Sequence, residues 1–243
     1  MTLSKNYIKR SFDLAAKTYS SFSELQNEIA KNLACIIEEK FFENVLEIGV
    51  GDGKLANLIN FWYKNYIGID LSPNMANFFK KNHPHKYCIV ADAEKLPFRS
   101  NTFNLIISSS VFQWLTNPKE SILKLTSLLK SNGNMFFSVF SKGTFWQMQE
   151  VSKITGFGSV LELKDKNFYE SLGFDCKNKQ YTIYYKSVKD FLHSHKKSGA
   201  RYTNHTTLCA KSKFFEFCST YEKLFSTKKG IEVTYIITFC KNH

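Results

Sequence analysis

Three glycines at alternate positions, Gly49, Gly51 and Gly53, follow the apolar run Val45-Leu46-Glu47-Ile48 and precede a helical pattern that starts near Lys54. Glycine takes positive φ without steric cost and leaves the backbone bare, and the following helix N-terminus offers N–H groups with no partner inside the helix. A strand, a glycine turn and a helix in this order form a seat for a ligand. A dinucleotide turn spaces its glycines GxGxxG, so that a pyrophosphate lies over the helix N-terminus. Here the spacing is GxGxG, with Glu47 just before the first glycine. A carboxylate aimed into the turn repels pyrophosphate and suits a ligand bearing an ammonium group. Taken alone, the motif leaves open a tight turn with no ligand.

The flanking sequence narrows the choice. A second apolar run, Tyr66-Ile67-Gly68-Ile69, ends at Asp70, and Ser72-Pro73 then opens a helix in the N-cap and N1 positions. Further strands are expected over 87–91, 105–109 and 134–140, with a helix over 118–130 before Gly133. Strands alternating with helices predict an α/β fold, Rossmann-like, with a mostly parallel sheet covered by helices on both faces. Such sheets bind ligands at the carboxyl ends of their strands. Asp70 is therefore placed to accept ribose hydroxyls, and Asp92, after the third strand, to meet an adenine amine. At the fourth strand end, Ser108, Ser109 and Ser110, then Gln113 and Trp114, border the same crevice.

Residues 7–16 and 22–40 read as amphipathic helices outside this core, either packing elements or a lid over the crevice. Beyond Lys142 the pattern loosens into a glycine-marked stretch. A strand follows over 181–185, then helices over 188–198 and 208–225. A last strand, 231–239, is expected antiparallel to its predecessor. One domain is expected: a helical lid (1–42), a cofactor-binding core (43–141) and substrate-side insertions with the last strands (142–243).

The six cysteines form no CxxC pair and read as reduced packing thiols. His193, His195, His205 and Cys209 match no metal-ligand spacing, so no metal is expected. No apolar stretch is long enough to span a bilayer and the N-terminus holds no signal-peptide core, so a cytoplasmic location away from membranes is expected. The net charge of +12 favours an anionic partner. Nearly all of it is lysine, the only arginines being Arg10, Arg99 and Arg201, a poor set for bidentate reading of phosphates or bases. Stable nucleic-acid binding is not expected.

Residues 45–53, 70–75 and 91–115 resemble the successive motifs of class I S-adenosylmethionine-dependent methyltransferases. That resemblance implies S-adenosyl-L-methionine as cofactor, with Glu47, Gly49, Gly51 and Gly53 around its methionine part, Asp70 and Leu71 near the ribose, Asp92 and Ala93 toward the adenine, and Met75 and Ser108 as further cofactor contacts. A narrower resemblance covers nearly the whole chain. Ser11 to Tyr19, Leu25-Gln26, Gln113-Trp114, Phe140 to Thr144, Lys196 to Ala200 and Thr234-Tyr235 are similar to the malonyl-[acyl-carrier protein] O-methyltransferase family of biotin synthesis. Departures lie at Asp52, Ser109 and Thr238. The resemblance implies methylation of the free carboxylate of a malonyl thioester on an acidic acyl-carrier protein, or on coenzyme A, by a monomeric enzyme. Tyr19 and Arg201 are the expected catalytic pair orienting that carboxylate, and Arg10, Gln113, Trp114, Lys196 and Lys197 the expected substrate contacts. A methyltransferase acting on a small molecule would share the cofactor motifs, and a binding protein on the same fold is the non-enzymatic alternative.

Overall fold

The computed structural model describes residues 4–158, 161–200 and 211–242. Two helices come first, α1 (Lys5–Ala15) and α2 (Glu24–Ala34), followed by β1 (Phe41–Ile48), α3 (Lys54–Leu58), β2 (Trp62–Asp70), α4 (Pro73–Asn82), β3 (Tyr87–Val90) and β4 (Phe103–Ser109). Then come α5 (Pro118–Ser127), β5 (Leu129–Phe140), α6 (Trp146–Thr155), α7 (Lys166–Glu170), β6 (Phe174–Tyr185), α8 (Val188–Lys197), α9 (Lys211–Phe225), β7 (Ser226–Thr227) and β8 (Gly230–Asn242).

The strands form one sheet in the order β3-β2-β1-β4-β5-β8-β6, with the short β7 paired to β8. All pairings from β3 to β5 are parallel, whereas β8 runs antiparallel between β5 and β6. From β1 the chain first builds outward through β2 and β3, then returns to place β4 on the other side of β1. The crevice between the carboxyl ends of β1 and β4 is the point at which such sheets hold ligands.

Val45, Leu46 and Ile48 are all fully buried because β1 is covered on both faces. Leu46, Ile106, Phe137 and Val139 pack toward Ile122 and Leu125 of α5. Val45, Leu105, Ile107 and Phe136 pack instead toward Ala30 and Leu33 of α2 and Phe79 of α4. A third cluster joins α6, α8 and α9 to β8 through Met148, Val151, Phe191, Phe217, Tyr221 and Val233.

Several expected boundaries shift. Helix α2 stops at Ala34, and β1 begins at Phe41, ahead of the apolar run. Strands β5 and β6 extend earlier than their apolar segments, because ladder partners on β4 and β8 continue the pairing through polar residues. The glycine-marked stretch contains α6, which hydropathy does not reveal because its buried face includes Gln147 and Thr155 beside Met148 and Val151. Gln147 satisfies itself on β8, its amide donating to the Thr234 hydroxyl at 2.8 Å and its carbonyl accepting the Thr234 N–H at 3.1 Å.

The cysteine expectation also needs correction. Cys176 and Cys240 lie directly opposite each other on β6 and β8, buried, with Cα atoms 4.3 Å apart, and form a disulfide. Cross-strand register, invisible in sequence spacing, creates this pair. Cys35, Cys88 and Cys218 are free, and Cys209 lies outside the described residues. His195 bonds the Tyr235 hydroxyl and His193 packs on Phe22, while His205 lies outside the described residues.

Gly53 enters α3 with φ +84°, and a Cβ built there would stand 2.5 Å from the His83 ring. Gly53→Ala is expected to lower unfolding stability by about 1–3 kcal/mol, from left-handed backbone strain and the clash together, read as a lower urea midpoint. An unchanged midpoint would remove the conformational reason for this glycine.

Candidate active site

A cleft of about 760 Å³, counting the solvent at its mouth, opens at the carboxyl ends of the parallel strands. Its floor is built from strand tips: Ile48-Gly49 after β1, Ile69-Asp70 at the end of β2, Ala91-Asp92 after β3 and Ser109-Ser110 after β4. The glycine turn is tied to β2, since the Gly49 and Val50 amides donate to the Ile69 carbonyl at 2.8 and 3.1 Å. Bare backbone is needed here. A Cβ on Gly49 would fall 2.2 Å from Val111, and one on Gly51 would point toward the Tyr19 ring, 3.9 Å away.

Asp70 organises the floor. One oxygen accepts the Gly51 N–H at 3.0 Å and the other the Ser72 N–H at 2.8 Å. Burial outweighs these bonds and pushes its carboxyl up to about 6. Each oxygen retains a lone pair for a further donor. Ser72 caps α4 as its sequence position predicts, accepting the Met75 N–H at 3.1 Å. This fixes Leu71 and Met75 in the cleft wall.

The roof comes from α1. Lys5, Ile8 and Phe12, spaced along one helical face, line the cleft together with Tyr19 from the following turn. Phe12 meets Trp114 edge-on at 5.7 Å between ring centres, closing the far side. Polar ties hold the roof down. Asp13 accepts the Ser72 hydroxyl at 2.5 Å and the Asn74 amide at 3.3 Å. Ser20 donates to Asp52 at 2.8 Å, and Asp52 also pairs with Lys54. Lys5 reaches across to Asp92, 2.5 Å from its Oδ1, and to Glu94. Burial works against the Lys5 charge, but the two carboxylates outweigh it and raise its pKa. Burial likewise opposes ionisation of Glu94, yet Lys5, the Asn117 amide and the Ser121 hydroxyl hold it at about 2. The acidic Asp52, a departure from the family pattern, is thus a roof anchor.

Tyr19, Gly49, Gly51, Asp70, Leu71, Met75, Asp92, Ala93 and Trp114 were expected at the site, and all line the cleft. Others do not. Gly53 turns toward His83, and the Ser108 hydroxyl is spent on the Ile48 carbonyl at 2.9 Å. Gln113 donates to the Ser110 carbonyl at 2.6 Å and shapes the turn that presents Trp114. Arg10 lies exposed on the outer side of α1, so the cleft lacks it as a carboxylate clamp. Lys196 and Lys197 end α8 outside the cleft, and Arg201 lies outside the described residues.

Glu47 is the main correction. Alternation along β1 turns its side chain away from Ile48 and the cleft floor, into a buried contact with the Tyr66 hydroxyl at 2.5 Å. There burial pushes its carboxyl up to about 8, against the lowering effect of the Tyr66 bond. Two lining residues that sequence reasoning passed over follow from the same kind of periodicity. Lys5 and Ile8 precede Phe12 at helical spacing. Ser110, expected at the crevice border, has a left-handed φ of 61° and a buried hydroxyl without a hydrogen-bond partner among the described residues, leaving it free to bond a ligand in the cleft.

The fold and a strand-tip cleft of this make-up define a Rossmann-like class I methyltransferase. Residues 46–137 match the methyltransferase domain family. The structure of Haemonchus contortus phosphoethanolamine N-methyltransferase 2 with S-adenosylhomocysteine superposes with a TM-score of 0.58 at 18% identity, covering 100% of this chain and 61% of that one. A SAM-dependent methyltransferase of Thermotoga maritima gives a TM-score of 0.54 at 16% identity, covering 96% and 98% of the two chains. These likenesses establish fold. Malonyl-[acyl-carrier protein] O-methyltransferase 2 of Ilyobacter polytropus is 31% identical over 252 residues, covering 96% of this chain and 95% of its own. The Halalkalibacterium halodurans malonyl-[acyl-carrier protein] O-methyltransferase is 28% identical over 262 residues, covering 97% of each. The chain belongs to the malonyl-[acyl-carrier protein] O-methyltransferase family.

The Glu47 environment has a pH signature. Its folded pKa lies above the unfolded value of 4.5, so the native state holds the proton more tightly, and stability falls as pH rises from about 4.5 to about 8. The slope from this one group approaches roughly 1.4 kcal/mol per pH unit. Asp70 adds the same sign of change up to about 6. Urea unfolding at pH 6.5 and 7.5, chosen as roughly the range above Asp70 and below Glu47, is expected to show the wild type losing stability and Glu47→Gln nearly flat. Equal slopes would contradict a protonated Glu47.

Proposed function

We propose that this chain transfers the methyl group of S-adenosyl-L-methionine to the free carboxylate of a malonyl thioester carried on acyl-carrier protein, forming the malonyl methyl ester that starts biotin synthesis. The observation that carries the reading is the cleft, with Asp70 and Asp92 at neighbouring strand tips over glycine-bared backbone, in a chain that matches malonyl-[acyl-carrier protein] O-methyltransferases end to end. The residues fit the cofactor. Asp70 has lone pairs left for ribose hydroxyls, Gly51 leaves room that a side chain would fill, and Asp92 faces the adenine end. Glu47 is left out of this set.

Bound there, the cofactor supplies an electrophilic sulfonium methyl, which a substrate carboxylate oxygen takes as sulfur leaves as a neutral thioether. A malonyl carboxylate titrates near roughly 4 and is already ionised, so no general base is required. The protein's part is alignment and exclusion of water, which together supply on the order of 7–11 kcal/mol. Phe12, Ile8 and Trp114 give the cleft an apolar cover. Burial, then Asp52 and Asp70, raise the Tyr19 pKa well above its ordinary value and keep the phenol protonated, a donor for the incoming carboxylate. Ser110 offers a second hydroxyl. Arg201 retains its proposed clamping role, and Lys196 and Lys197 are proposed to meet the carrier. The reading takes the enzyme to be a monomer acting in the cytoplasm, with neither membrane nor stable nucleic acid as a partner. Among the described residues no helix is long and apolar enough to cross a membrane.

Malonyl carrier protein incubated with enzyme and cofactor should gain the mass of one methylene, a methyl replacing a proton, and no gain under active conditions would reject the assignment. Tyr19→Phe should cut kcat/KM for that product by about tenfold to a hundredfold, the worth of one bond to a charged group, with cofactor affinity nearly unchanged. A rate equal to wild type would remove Tyr19 from the carboxylate. Lys5→Met should accelerate cofactor association in stopped flow, because Asp92 no longer has to release an ammonium; slower association would make Lys5 part of the cofactor site instead.

A further inference from the structure

The face of α1 opposite the cleft is unexplained by the chemistry. Lys5, Ile8 and Phe12 point into the cleft, and two residues further along the helix, some 200° around it, come Arg10 and Leu14. Arg10 and Leu14 lie one helical turn apart on the outer face of α1, and Lys17 follows in the turn after the helix; all three are exposed. Leu14 is 71% exposed, a large apolar side chain set between two cations. The acidic residue of α1, Asp13, does not offset them outward, because its carboxylate is spent on Ser72 and Asn74. Glu24, at the start of α2, is the next acidic residue along the chain.

Beside it, Ser11 and Ala15 of α1 and Thr18 of the following turn meet the chain where α8 ends. The Thr18 hydroxyl donates to the Lys197 carbonyl at 2.9 Å. Gly199 sits so close that a Cβ would lie 3.1 Å from the Ser11 carbonyl and 3.1 Å from the Ala15 Cβ. Lys196 is exposed at this junction, and one helical turn earlier the exposed His193 packs edge-on against the ring of Phe22, which follows Tyr19. The basic end of α8 thus lies beside the helix that roofs the cleft.

We infer that the outer face of α1, centred on Leu14 between Arg10 and Lys17 and extended by Lys196 of α8, is the surface on which the acidic carrier protein docks. The inference rests on the proposed function and adds to it where the partner sits. Charge complementarity argues for the occupant: a basic rim around one apolar side chain matches an acidic partner that offers an apolar contact, and lysine-rich rims act on encounter and KM more than on chemistry. Docking there presses the roof from behind. The helix that receives the carrier is the one whose inner face holds Phe12 and Lys5 over the site, so carrier engagement favours the closed roof.

The test compares two donors of the same malonyl group, malonyl carrier protein and malonyl pantetheine, which has no protein part. In Leu14→Asp/Lys17→Glu, KM for malonyl carrier protein is expected to rise about tenfold or more, with KM for malonyl pantetheine and affinity for S-adenosylhomocysteine within about twofold of wild type. Lys17→Arg alone, which keeps the charge, should leave the carrier KM at the wild-type value. Unchanged carrier KM in the double variant, or an equal rise for both donors, overturns the docking surface while leaving the proposed reaction standing. Failure of the wild type to methylate either donor overturns the reaction and the surface with it.

Discussion

Two backbone amides converge on one carboxylate. The Gly51 N–H from the glycine turn and the Ser72 N–H from the start of α4 both donate to Asp70, the last residue of β2. The bond to Gly51 holds the turn after β1 against the tip of β2, and that to Ser72 starts α4 so that Met75 enters the cleft wall. Everything above the sheet is referred to this point, because Asp13 of the roof bonds the same Ser72 whose amide Asp70 holds. A half-buried carboxylate with both oxygens engaged by backbone amides is costly to misplace, so the cleft is set before any ligand enters.

The roof packs through Ile8, Ala15 and Phe12 and is fastened at its rim by polar contacts. Lys5 with Asp92 and Glu94, Asp13 with α4, and Ser20 with Asp52 fasten it at three places around the cleft rim. Polar fastenings can open without exposing a large core, which suits a cover that must admit cofactor and then substrate. One of them uses Asp92, the carboxylate proposed to meet the adenine amine; with that placement, cofactor entry would compete with this fastening of the roof.

The sheet and the cofactor half of the cleft were legible in the sequence because both follow from short-range rules. Buried runs such as Val45 to Ile48 announce strands, Ser72-Pro73 announces a helix start, and strand ends announce the cleft. What stayed hidden depends on direction or register. Glu47 sits in the right segment, but strand alternation turns it to Tyr66, and a motif does not carry that phase. The Cys176–Cys240 pair depends on how β6 and β8 align across 64 residues. Helix α6 was masked by a buried glutamine whose partner lies on β8. Lys5 could have been found by extending the Phe12 face of α1 back by one and two turns. The expected substrate contacts were the least legible, since the outward direction of Arg10 on α1 and the position of Lys196 and Lys197 outside the cleft are set by the fold and not by spacing.

The central claim is that the Asp70 carboxylate anchors an adenosyl nucleoside at the strand tips. Isothermal titration of S-adenosylhomocysteine into wild-type protein and Asp70→Asn, with folding of the variant checked by its urea midpoint, tests it directly. The account predicts saturable binding to the wild type and a loss of about tenfold or more in the variant, from removal of a charged acceptor. No binding to the wild type, or equal affinity in a folded variant, would contradict it.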